Sequence, residues 1–79
     1  MRMLDVDAKK PVRVIQLYLL EKEARSLRAM LDRLLADPEA NEHEHVYSDD
    51  MGAELSCSIV TASKLRAGGY TALERDLLR

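Results

Sequence analysis

The stretch NEHEHVYSDD, residues 41–50, concentrates the residue types that do chemistry. Two histidines and four acids fall within ten positions that hold no lysine or arginine. His43 and His45 form an i, i+2 pair, and on a strand such residues point to one side with Cα atoms about 6.5–7 Å apart. That separation suits two imidazoles converging on one zinc ion, with Asp49, Asp50 or Cys57 left to complete the set. No spacing demands any of these three. A strand face placing His43, His45 and Tyr47 side by side explains the pair without a metal. Neither a metal nor a cofactor is expected, and binding of a metal through His43 and His45 stands as an alternative.

The same residues make poor catalysts. Asp49 and Asp50 are adjacent, so their side chains diverge, and Asp-Asp before Met-Gly suits a turn better than an acid–base pair. Cys57 with His45 would make a nucleophile and base across neighbouring strands. Cys57, however, falls on the apolar parity of its strand, where a buried thiol is inert. Gly68-Gly69 lacks the following Lys-Ser or Lys-Thr of a phosphate loop. The expectation is a protein that is not an enzyme.

The elements that position these residues follow from apolar periodicity. Residues 1–11 are mixed and end in Pro11, which suggests a flexible lead-in. Residues 12–20, VRVIQLYLL, carry apolar groups on both parities, as a strand covered on two faces does; a helix starting as early as Leu17 is the competing reading. Residues 21–37 are the clearest element. Leu20, Ala24, Leu27, Leu31 and Leu34 recur at helical steps, joined by Met30 and Leu35. Glu21 and Glu23 occupy the first turn, and Pro38 marks the stop.

Residues 43–48 and 53–61 predict a hairpin around the Asp49-Asp50-Met51-Gly52 turn. In the second strand Ala53, Leu55, Cys57 and Ile59 alternate with Glu54, Ser56 and Ser58. Thr71 and Glu74 have the spacing of a capping box, which starts a short helix over 71–79. The order predicts one small α+β domain of β-α-β-β-α type. Its three-stranded, mainly antiparallel sheet would be packed by one long helix and a short C-terminal helix. A parallel crossover between the first two strands is also compatible with the long connecting helix.

Composition narrows the function class. The chain has 79 residues, net charge −2 and a single cysteine, Cys57, so no internal disulfide can staple it. A chain of this size buries only about 60% of its unfolded surface, and self-association is one remedy. The lone thiol and the absence of a long apolar run point to a cytoplasmic setting without membrane contact. Seven acids lie between Asp37 and Glu54 with no lysine or arginine, so all 12 basic residues lie outside that window. Basic residues on the long helix are interleaved with Glu21, Glu23 and Asp32, which argues against nucleic acid. The acidic window is either a rim that blocks strand pairing or a surface for a basic protein partner.

A strand running into EARSLRAMLDRLLADPE, then EHEHVYSDDMGAELSCSIV, resembles small bacterial immunity proteins of the immunity protein 32 type over about residues 12–61. The resemblance implies a non-catalytic protein that neutralises a toxin by binding. It carries His43, His45, Asp49, Asp50 and Glu54 over as partner contacts, on the acidic hairpin edge. The tail GGYTALERDLLR falls outside that pattern. The expectation is therefore a protein-binding module for a basic partner, with a self-associating structural protein, possible as a homodimer, as the alternative.

Overall fold

The computed structural model describes residues 1–40 and 43–79. Asn41 and Glu42, which open the His- and acid-rich stretch, lie outside the described residues. The chain is α+β, with two separate antiparallel two-stranded sheets and three helices among the described residues.

The start of the chain forms a hairpin where a flexible lead-in was expected. Strands β1 (Met3–Asp5) and β2 (Lys10–Val12) pair antiparallel, from Asp5 opposite Lys10 to Met3 opposite Val12. Two local devices close the loop between them. The Asp5 carboxylate accepts the Ala8 N–H at 3.0 Å, and Lys9 takes a left-handed φ of 57°. Aspartate is a frequent turn former for this reason, because its short carboxylate satisfies backbone donors just ahead.

The predicted strand over 12–20 is also corrected. Only Val12 belongs to a strand, and residues 14–20 carry no regular structure. Periodicity described the side chains correctly but could not supply a neighbour. A strand exists only where another backbone accepts its ladder, and β1 offers three residues, the first of them, Met3, opposite Val12. The three-stranded sheet therefore becomes two two-stranded ones.

Helix α1 (Glu21–Ala36) matches the predicted helix to within a residue. Leu20 is its N-cap, with extended φ and ψ of −66° and 156°. Leucine has no side-chain acceptor, so only half of a capping box exists there: Glu23 reaches back to accept the Leu20 N–H at 2.7 Å. The helix ends at Asp37 before Pro38, whose ring cannot continue the ladder. Met30 and Leu34, four residues apart on one side, are buried at 0% and 6% exposure.

Strands β3 (Glu44–Tyr47) and β4 (Glu54–Cys57) form the predicted hairpin, in the register Glu44–Cys57, His45–Ser56, Val46–Leu55 and Tyr47–Glu54. Val46, Leu55 and Cys57 are partly buried, while His45, Tyr47, Glu54 and Ser56 are exposed. Arg33 of α1 holds Glu44 of β3, with Nε and Nη2 both 2.9 Å from Glu44 Oε1. At the other end Lys22 pairs with Asp49, and Glu23 accepts the Asp49 N–H at 2.7 Å. These clamps make α1 and β3 run in opposite directions.

Two short helices follow, the second of them the expected C-terminal helix. In α2 (Ala62–Ala67) Thr61 caps the start by accepting the Lys64 N–H at 3.2 Å. Gly68 ends it in the left-handed region at φ 74°. The predicted capping box of α3 (Ala72–Leu77) is present: Thr71 Oγ1 accepts the Glu74 N–H at 3.2 Å, and Glu74 accepts the Thr71 N–H at 2.8 Å. Between these helices Tyr70 is buried at 8% exposure and completes the buried apolar set with Met30 and Leu34. Among the described residues no helix is long and apolar enough to cross a membrane.

Candidate functional site

The β3–β4 turn assembles around Asp50. Its Oδ1 accepts the Ser48 hydroxyl at 2.6 Å and the Gly52 N–H at 2.9 Å, while Ser48 Oγ in turn accepts the Ala53 N–H at 2.8 Å. The Ser48 hydroxyl, then the Gly52 N–H, hold the Asp50 carboxyl below its ordinary value by stabilising the anion. Asp50 is thus a turn former, as its sequence context suggests. Its neighbour Asp49 takes Lys22 of α1, so the adjacent acids serve different partners.

The two histidines separate in the same way. His43 Nε2 lies 3.8 Å from Glu74 Oε2 of α3, whereas His45 Nδ1 lies 3.0 Å from Glu54 Oε2 on the neighbouring strand. His45 also stacks on Tyr47, with ring centroids 6.2 Å apart and planes 20° apart. Among the described residues no three His, Cys, Asp or Glu side chains gather in a metal-holding group. Cys57 stands opposite Glu44 in the ladder, and His45 opposite Ser56, so the thiol and imidazole belong to opposite faces. Burial pushes the Cys57 thiol up from its ordinary value, away from the thiolate a nucleophile needs.

All five sequence-predicted contact residues, His43, His45, Asp49, Asp50 and Glu54, are exposed on or beside this hairpin. Each is engaged by its own chain through the pairs above. Two more acids of the acidic window are used internally. Glu44 is clamped by Arg33, and Glu39 accepts hydrogen bonds from the Thr61 and Ser63 hydroxyls. Those bonds, Ser63 first, hold the Glu39 carboxyl below its ordinary value. The Glu39–Thr61–Ser63 cluster joins residues more than 20 apart, and no local spacing announces it.

A second surface is apolar. Val14, Ile15, Leu17, Tyr18, Leu19 and Leu20 are all exposed, reaching 82% at Val14 and 86% at Tyr18. On α1, Leu31 and Leu35 are exposed as well, one turn apart on the same helix face. Among the described residues no hydrogen bond involves the backbone of residues 14–19. Their donors and acceptors are free for water or for another chain. Shallow clefts open to solvent lie between α1 and β3 and beside Tyr70. Neither encloses a site for small-molecule chemistry.

No family model, curated protein or solved structure matches the chain.

Proposed function

We propose that this chain is a non-catalytic protein-binding module whose principal contact is the apolar segment of residues 14–20, with the acidic hairpin as a polar rim. The observation that carries this reading is six large apolar side chains exposed in seven consecutive residues, the first six of them on a backbone without hydrogen-bond partners among the described residues. Isolated surface leucines are ordinary, but a run of this density marks an interaction site. A segment outside regular structure with free backbone groups suits strand addition, in which the ladder contributes affinity and the side chains contribute selectivity.

The acidic hairpin has a lesser part in this reading. Its carboxylates already have internal partners, so a basic partner would have to compete for them. Exposed rim charges govern the association rate and reject wrong partners more than they set affinity. The resemblance to toxin-neutralising immunity proteins favours the same class of function, since it too implies binding without catalysis. A toxin would be one such partner.

A photo-crosslinking residue introduced at Tyr18, and separately at Asp50, tests the assignment in the full chain within the cells it comes from. The expected result is a discrete protein adduct from position 18. Adducts from position 50 alone would return the contact to the acidic edge. No adduct from either position would end the protein-binding reading.

A further inference from the structure

Resting on that reading, we infer that the partner covering residues 14–20 is a second copy of this chain, paired antiparallel with the same segment about a two-fold axis at Leu17. The first argument is area. Folded monomers expose about 6.3M^0.73 Å² of surface, which for 9.0 kDa is about 4,900 Å². This chain exposes 6375 Å². The excess, about 1,500 Å² per chain, is spread over the whole chain, and residues 14–20 carry its longest run of exposed large apolar side chains. The radius of gyration agrees: 13.4 Å, against about 11.6 Å for a domain of this length.

The second argument is pairing. A strand needs a ladder partner, and residues 14–19 have none among the described residues. A two-fold axis through Leu17 uses all seven residues. On one face it sets Ile15 against Leu19 and Leu17 against its own copy; on the other, Val14 against Leu20 and Gln16 against Tyr18. Apolar cross-strand pairs of this kind are what stabilise a sheet. The same register brings Arg13 of each copy toward Glu21 of the other, placing opposite charges at both ends of the seam. Among the described residues Arg13 has no ion pair, while Glu21 has only Arg25 of its own helix. An axis at Tyr18 would instead set Ile15 against Glu21, and one at Gln16 would set Arg13 against Leu19. Charge and apolarity both select Leu17.

Sedimentation of the full chain, combined with cysteine crosslinking in a Cys57→Ser background, tests the pairing. A directly opposed pair has Cα atoms about 4.5–5.5 Å apart, within disulfide reach, whereas the diagonal from Tyr18 to its own copy is about 7–8 Å. The expected result is a dimer in which Leu17→Cys oxidises to a covalent dimer at least tenfold faster than Tyr18→Cys. A second variant, Leu17→Lys, is expected to shift the wild-type dimer to monomer. Should that variant fail to fold, the crosslinking contrast still decides, because neither cysteine variant places a charge in the seam. A monomer at all concentrations, with position 18 photo-crosslinked to a different protein, would overturn the second copy yet leave the binding segment standing. A monomer without any such adduct would overturn both. A dimer without the preference for Leu17→Cys would place the interface elsewhere and overturn this pairing.

Discussion

Glu23 performs two tasks with one carboxylate. It accepts the Leu20 N–H that the leucine cap cannot serve, and it accepts the Asp49 N–H that fixes the β3–β4 turn beside α1. Replacing it by alanine removes a helix-start acceptor and a tertiary tie together. Glu23→Ala is expected to lower stability by about 1–2 kcal/mol, seen as a lower urea midpoint at fixed protein concentration. Glu23→Gln keeps one acceptor oxygen but turns an NH2 donor toward the other N–H, so it is expected to recover at most one of the two ties and to cost nearly as much as alanine. The same scale sets the response to acid. Glu39, Asp50 and Glu74 are all held below their ordinary values of 4.5, 3.8 and 4.5 by donors present only in the fold, the Thr71 N–H foremost for Glu74. A depressed carboxyl stabilises the fold above its unfolded value, and that contribution is lost as pH falls through the folded value. The melting temperature is therefore expected to hold from pH 7 to about 5 and to decline below about 4.5. An unchanged melting temperature at pH 3 would show that these hydrogen bonds contribute nothing.

Elements differ in how far they are self-sufficient, and legibility in the sequence follows that difference. Helix α1, the β3–β4 hairpin and the α3 capping box are specified by residues within one or two turns of each other. Each was readable from spacing for that reason. The β1–β2 hairpin was missed because its loop, with Lys9 at positive φ, lacks the glycine that usually marks such a position. The segment 12–20 was misread for the opposite reason. Its composition is that of a strand, but strand formation depends on a neighbour that its own chain does not offer. For the candidate site, the exposure of Asp49, Asp50 and Glu54 was legible from turn chemistry and alternation, whereas the face carrying His43 and His45 depends on the strand's register, which spacing leaves open. The internal partners Lys22 and Glu74 were not legible, because those contacts are tertiary. Gly68 offers a test at this scale. It ends α2 at φ 74°, and a Cβ there would meet no atom within 4 Å. Gly68→Ala is thus a purely conformational change, expected to cost about 1–2 kcal/mol in the urea midpoint. Gly68→Asn, better tolerated in that region, is expected to cost less.

At the scale of the whole molecule, the balance of surface and core sets the behaviour. Among the described residues three apolar side chains, Met30, Leu34 and Tyr70, are buried, which is few for a chain that must offset the conformational entropy of 79 residues. Clamps such as Arg33–Glu44 add little to that balance, because ion pairs with an exposed partner contribute about 0–1 kcal/mol. If a second copy covers residues 14–20, assembly and folding are one equilibrium and stability depends on protein concentration. Each tenfold rise in concentration adds about 1.4 kcal/mol to a dimer that unfolds to two chains. Unfolding entropy near 2.1 cal/mol/K per residue, over two chains, converts this into a rise of about 4 °C in melting temperature per decade. Calorimetry at three concentrations spanning 100-fold is therefore expected to show a shift of about 8 °C for the wild type. Leu17→Lys should abolish that dependence while lowering the melting temperature at every concentration. A wild-type transition fixed to within 1 °C would instead describe a chain that folds alone and keeps its apolar segment for a different protein.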